Sequence, residues 1–280
     1  MIVDAQVHVY EANSAARPWI DPNRRLSPPQ MTGAQMVAAM DEVGVDRTIL
    51  VSAFLVYGMD TSYAEEVRRA WPDRFVVVAP ADPLVPDVGE RIAEWARGPG
   101  AVGVRILFLP NAAFGAEHPG VTAAVGAARA AGLPVNVHCY ERLEVLDDLA
   151  RRFPDVQFVL DHLGMAQPRV APAPPGALKD LDKVAALAAH PNVALKVTGA
   201  CTYATTPFPY EDLWGPIGGL IETFGVQRCM WGTDWQRTTA TVPYRQALSA
   251  FRDHWPLSVA EKAALLGETA LRIYRWPAGG

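Results

Sequence analysis

Short β-branched runs alternate with longer helical runs from one end of this chain to the other, and that alternation limits its fold more than any other feature. Strands are expected at residues 2–8, 47–52, 74–79, 101–108, 133–139, 156–162, 193–198 and 227–233. Helices are expected at 32–43, 61–70, 85–96, 121–131, 142–153, 178–189, 210–224 and 242–254, with a last helix at 259–274. Gly44 and Gly132 follow two of these helices, where a left-handed residue commonly ends a helix. Strands such as FVVVA and FVLDHL are apolar nearly throughout, as a parallel sheet covered on both faces requires.

Eight such units at roughly 34 residues each match a (β/α)8 barrel. The expected fold is therefore α/β: a single (β/α)8 TIM barrel with an extra C-terminal helix, one domain over residues 1–280. A doubly wound open sheet is the rival, and no GxGxxG follows the first strand to support it. With 50% hydrophobic and 9% aromatic residues, the chain can build a large core and is not a disordered one. A net charge of −5 without a basic stretch speaks against nucleic acid as partner. No apolar run approaches the ~20 residues that span a bilayer. Cys139, Cys201 and Cys229 form no CxxC pair, so neither a disulfide framework nor a cysteine zinc module is expected. A reducing, cytoplasmic setting fits that count, as does an N-terminus that enters a strand without a signal-peptide pattern. The expected partner is a small-molecule substrate, and a homodimer stays open.

Polar residues at the C-terminal ends of barrel strands are the ones that usually carry chemistry. Here Asp4, Gln6 and His8 alternate along strand one and are expected on one face. Arg105 ends strand four, His138 strand five, Asp161 and His162 strand six and Asp234 strand eight, while Lys196 lies on strand seven. One strand histidine alone is usually a core residue, but three of the six histidines fall at strand ends together with an aspartate. Such a cluster has two uses. Two imidazoles and a carboxylate could ligate a single divalent ion and leave positions open for water and substrate. Without a metal, Asp234 could serve as general base on water while histidines polarise a carbonyl. Two proline-rich loops, 11–30 and 164–177, follow strands and so belong to the same barrel face as candidate lids.

VDAQVHVY, DHLG, WGTDW and the terminal LLGETALRIYR, in that order over nearly the whole chain, resemble the amidohydrolase superfamily and its amidohydrolase-2 branch. Within it the chain is similar to the pyrone-dicarboxylate and sugar-lactone lactonases, some metal-independent and some mononuclear. The resemblance implies a hydrolase that opens a lactone, with Asp234, His8 and His162 catalytic and Arg105, Lys196, Trp19 and Tyr140 binding substrate. Its decarboxylase members imply an alternative, metal-dependent decarboxylation of an aromatic acid, with one zinc or manganese ion on His8, His138 and Asp234, Gln6 as a weak fourth ligand and His162 as acid–base. Gln6 stands where the family's HxH motif has its first histidine, which weakens a binuclear site and also motivates a non-catalytic barrel as a third reading. Met165 replaces an arginine of the pyrone-dicarboxylate enzymes, so a more neutral or aromatic lactone is implied.

Overall fold

A computed structural model describes residues 1–276. Eight parallel strands form one sheet in sequence order. They are β1 (Val3–Val7), β2 (Arg47–Val51), β3 (Phe75–Ala81), β4 (Ala101–Leu107), β5 (Val135–His138), β6 (Phe158–Leu160), β7 (Val193–Thr198) and β8 (Cys229–Gly232). Helices run between them, so the arrangement is the (β/α)8 barrel that the alternation predicts. The helices are built by local rules. Thr32 caps Gly33–Val43 in a capping box with Gln35, and Gly44 ends that helix in the left-handed conformation (φ 82°). In Leu143–Arg152 the buried Leu143, Leu146, Leu149 and Ala150 recur at helical spacing and face the sheet.

The barrel is filled from inside and below. Val3, Ile49, Val76, Val159, Ala194 and Met230 form an inner cluster with Ala270, Ile273 and Tyr274 of the C-terminal segment. Tyr274 reaches into the barrel, donating to Asn136 Oδ1 (2.9 Å) and lying 5.6 Å beneath the Lys196 ammonium. The extra C-terminal helix, spanning Val259–Ala263 to Thr269–Ile273, is thus the plug under the site. No helix among the described residues is long and apolar enough to cross a membrane.

β1 departs from the expected alternation. A register shift between Asp4 and Val7 breaks the period of two. Gln6 and His8 face the barrel mouth, but Asp4 turns to the seam between β8 and β1. There its carboxylate accepts from Thr233 N (2.9 Å), Thr233 Oγ1, Gln6 N (3.1 Å) and Tyr244 Oη (3.0 Å). Asp234 N donates to Gln6 O (2.9 Å) and closes the ring of strands. Burial lifts Asp4 to a pKa of about 6 even against these donors. Asp4→Ala would leave buried donors unmatched, each worth about 1–3 kcal/mol. We expect a loss of about 3 kcal/mol, read as a lower unfolding midpoint in urea; an unchanged midpoint would contradict a structural role for the seam.

Candidate active site

Two strand ends stop in the left-handed region. His162 (φ 52°) and Leu163 (φ 57°) lie in a tight turn over Asp161–Gly164, which cuts β6 short at Leu160, and Asp234 (φ 52°) follows β8. Non-glycine residues pay about 1–3 kcal/mol to sit there. The turns bend the chain so that both side chains enter the barrel mouth rather than continue the strand.

His8 and Asp234 meet across the seam, with Nε2 and Oδ1 3.3 Å apart. His8 Nδ1 lies 2.6 Å from Val51 O, a carbonyl that can only accept, so Nδ1 carries a proton. Nε2 then presents a lone pair to the carboxylate unless the ring is charged. Gln236 locks the pair: its Oε1 accepts from His8 N (2.9 Å) and its Nε2 donates to Asp234 Oδ1 (2.7 Å). Burial opposes a charge on Asp234, but the contact with His8 and the nearby charge of Arg237 outweigh it and hold the carboxyl well below the usual carboxylate range.

His162 is held neutral. Its Nε2 is faced by two donors, Gln6 Nε2 (2.9 Å) and Arg105 Nη2 (3.2 Å). Gln6 has no choice of orientation, because its Oε1 accepts from Lys196 Nζ (3.0 Å). Nε2 therefore accepts, while Nδ1 lies 4.0 Å from Asp234 Oδ2 and faces a further donor, the Gln167 amide nitrogen, at 3.0 Å. Burial, with His138 and Arg105 adding to it, pushes the His162 pKa well below the ordinary 6.5. His138 is driven to about 3, chiefly by burial and then by Arg105. Both rings stay neutral when folded but would charge near the ordinary value when unfolded. Their stability contribution is therefore complete above about pH 6.5 and is lost as pH falls, by up to about 1.4 kcal/mol per unit for each ring. The unfolding midpoint should drop between pH 7 and pH 5, less steeply in His162→Asn; an equal slope in that variant would contradict the assignment.

Below these groups lies a buried ion cluster. Asp161 Oδ2 accepts from Arg105 Nε (2.6 Å) and its Oδ1 lies 3.2 Å from Lys196 Nζ. Burial works against the Asp161 charge, and Lys196 and Arg105 overcome it, holding its pKa low. Lys196 is fully buried and drops to about 8 for the same reason, with Asp161 opposing. Arg105 and Lys196, expected to hold substrate, are thus turned onto Asp161 and, through His162 and Gln6, position the histidine.

Tyr140 lies at the mouth, its ring 5.3 Å from that of His138, which is itself 5.3 Å from that of His162. Trp19 lies in the long loop after β1. It is buried in its own loop, donating to Glu11 O (2.8 Å) and meeting Tyr10 edge-on at 6.1 Å. That loop is clamped at its base by the Tyr10–Met31 bridge and pinned through Arg17 to Glu66 (2.6 Å). Three residues that the sequence did not single out complete the site: Gln236, Gln167 and Arg237. Gln167 donates to Thr198 O (3.1 Å) and accepts from the Arg237 guanidinium on its Oε1. The available signal was the run WQR directly after Asp234, on the barrel face where polar residues act. A cavity of about 480 Å³ between Ala112–Glu117 and Arg142, Glu144 and Asp148 includes none of these groups.

The donor set bears on metal binding. Among the described residues, His138, Asp161 and His162 offer ligand atoms within 4.8 Å of one another. Yet Asp161 is already paired with two cations, and His162 Nε2 already receives two donors. Gln6, the weak fourth ligand of the sequence reading, has its oxygen turned to Lys196. The His8–Asp234 gap is different. Two lone-pair atoms face each other at 3.3 Å, and His8 is braced through Nδ1 on a carbonyl, as metal-bound imidazoles are. That gap fits one cation, a proton or a divalent ion.

Known proteins agree with this architecture. A protein named L-fucono-1,5-lactonase from Burkholderia multivorans (strain ATCC 17616 / 249) is 29% identical over 98% of this chain and 96% of its own length. A crystal structure of an amidohydrolase from Burkholderia multivorans with bound zinc superposes with a TM-score of 0.81 at 26% identity, covering 99% of this chain and 100% of that one. A 5-carboxyvanillate decarboxylase from Sphingomonas paucimobilis shares the fold alone, at 16% identity and a TM-score of 0.69 over 98% of each chain. The family model described as Amidohydrolase (Amidohydro_2) matches residues 3–276, and the chain belongs to that family.

Proposed function

We propose that the protein hydrolyses a lactone ring, with Asp234 as the base that takes a proton from the attacking water. The observation that carries this reading is the Asp234 carboxylate, 1% exposed, kept anionic and set 3.3 Å from His8 at the barrel mouth. The lactonase name of the Burkholderia relative supports a sugar lactone as the substrate type. Water attacks the carbonyl carbon as its proton passes to Asp234, and the carbonyl electrons move onto oxygen. His8 and His162, 3.3 and 4.0 Å from the Asp234 carboxylate, polarise the carbonyl and face that oxyanion. Donors fixed in advance in a dry site are worth about 10²–10³ each in rate. The carbonyl then re-forms, the ring C–O bond breaks, and the proton on Asp234 passes to the leaving ring oxygen. Products are a carboxylic acid and a hydroxyl on one open chain.

The decarboxylase alternative asks His162 to transfer a proton. Its Nε2, accepting from Gln6 and Arg105, does not offer that role. Acid release from a panel of sugar lactones, against carbon dioxide release from aromatic acids, separates the two. Acid release from lactones alone is expected, and carbon dioxide alone would overturn the reading.

Where a metal binds, His8 Nε2 and Asp234 would hold it, and it would lower the pKa of its water and polarise the carbonyl; His138 lies instead with Asp161 and His162. The cations on Asp161 and the Lys196 bond to Gln6 leave no second site beside it. Zinc titration should therefore stop at one equivalent and be abolished in His8→Ala. Two equivalents, or undiminished binding in that variant, would contradict the assignment.

A further inference from the structure

The terminal LLGETALRIYR supplies no group to the barrel mouth, yet its tyrosine, Tyr274, is 1% exposed and lies directly beneath the site. Two contacts seat that segment. A Cβ on Gly267 would collide with Met1 O, so glycine is what lets the segment pack against the start of the chain. At its end the Arg47 guanidinium lies over the Trp276 ring, 5.2 Å from the centroid. Tyr274 is thereby held at the foot of the barrel, with its hydroxyl and its ring on different partners.

The hydroxyl fixes an amide. Asp161 is held ionised and can only accept, so Asn136 turns its Nδ2 toward Asp161 Oδ1 (3.4 Å). Asn136 Oδ1 then faces Tyr274, whose hydroxyl donates to it at 2.9 Å. The ring acts on Lys196. An ammonium has three N–H groups, and Asp161 Oδ1 (3.2 Å) and Gln6 Oε1 (3.0 Å) take two of them. The Tyr274 ring, its centroid 5.6 Å from Nζ, lies within reach of the same charge. Both arms end on one nitrogen. Lys196 holds the Gln6 amide, whose Nε2 lies 2.9 Å from His162 Nε2. Asp161 holds Arg105, whose Nη2 lies 3.2 Å from the same atom. No residue of these chains is more than 5% exposed, so a lost partner is not replaced from solvent.

We propose that Tyr274 is a positioning residue of the site: from the foot of the barrel it orders, through Asn136 and Lys196, the two donors that hold His162 Nε2. The C-terminal segment then sets the histidine as well as filling the barrel. The effect on turnover rests on the lactonase reading, in which His162 faces the oxyanion, whereas the effect on His162 itself does not.

Imidazole ¹⁵N spectra of the histidine-labelled protein read His162 without requiring turnover, its signals being identified by their loss in His162→Asn. Tyr274→Leu removes ring and hydroxyl and should move the His162 Nε2 signal downfield as its donors loosen, while His118, His190 and His254 stay in place. Tyr274→Phe keeps the ring and should give a smaller shift in the same direction; it decides the matter where Tyr274→Leu does not fold. Ile273→Ala opens a cavity in the same segment but breaks none of these contacts, and so controls for lost stability. It should lower the unfolding midpoint and leave the His162 signals unchanged. With a lactone as substrate, kcat should fall about 3- to 30-fold in Tyr274→Leu and less in Tyr274→Phe, with KM little changed. In Ile273→Ala kcat should stay within about twofold of wild type. Wild-type His162 signals in both Tyr274 variants, or equal changes in Tyr274→Leu and Ile273→Ala, overturn the proposal. A His162 shift without turnover of any lactone leaves the positioning role standing and defeats the lactonase reading instead.

Discussion

Asp234→Asn is expected to lower kcat by at least about 10³-fold while leaving the unfolding midpoint within a few degrees of wild type. The amide keeps the shape of the carboxylate and can still meet the Gln236 side chain, so the turn after β8 survives. What is lost is the proton acceptor. General-base catalysis typically contributes about 10²–10⁴-fold, and the same change removes the charge that pairs with His8 and so disturbs the oxyanion donor as well. Two effects on one chemical step place the expected loss toward the upper end. Because both act in the transition state, kcat should fall far more than KM rises. Turnover within tenfold of wild type would remove Asp234 from the chemistry.

Asp161→Ala should have the largest effect on stability. The variant leaves the Arg105 guanidinium and the fully buried Lys196 ammonium without their shared counter-ion. Breaking a buried pair from one side costs about 3–5 kcal/mol, because the remaining charge is neither hydrated nor matched. For a chain of this size that is a fall on the order of 10 °C in unfolding midpoint. Adding Lys196→Met should restore part of the loss, since one orphan cation disappears with it. If Asp161→Ala unfolds at the wild-type temperature, or the second change brings no recovery, the cluster does not hold the barrel interior as described. Arg105 contacts His162 Nε2 directly, and Lys196 does so through Gln6.

The barrel was legible in the sequence because each strand and helix declares itself locally, by β-branched runs, amphipathic spacing and glycine stops. The strand-end residues were legible for the same reason: topology alone sends His8, His138, His162 and Asp234 to one rim. What lay beyond reach was pairing. Nothing local reveals that Arg105 and Lys196 turn inward to Asp161, because that choice is made between residues tens of positions apart in a low-dielectric interior. Asp4 was expected beside Gln6 and His8, and the register shift in β1 sent it to the seam instead. Gln167 and Gln236 were passed over because an amide has no titration and no ligand signature. Its role here, touching an imidazole ring and bracing a carboxylate, exists only once the partners are in place. Arg237 escaped notice for a related reason, since a helix-start arginine reads as surface until its guanidinium is seen clasped by Gln167.

The most direct measurement of the central claim is a single turnover of a lactone in ¹⁸O-labelled water. With Asp234 acting as base, one ¹⁸O enters the new carboxyl group, none enters the released hydroxyl, and Asp234 stays unlabelled. Unlabelled product in the first turnover with ¹⁸O later found in Asp234 would make the residue a nucleophile, and label in the hydroxyl would mean that water attacks elsewhere; either result contradicts the account.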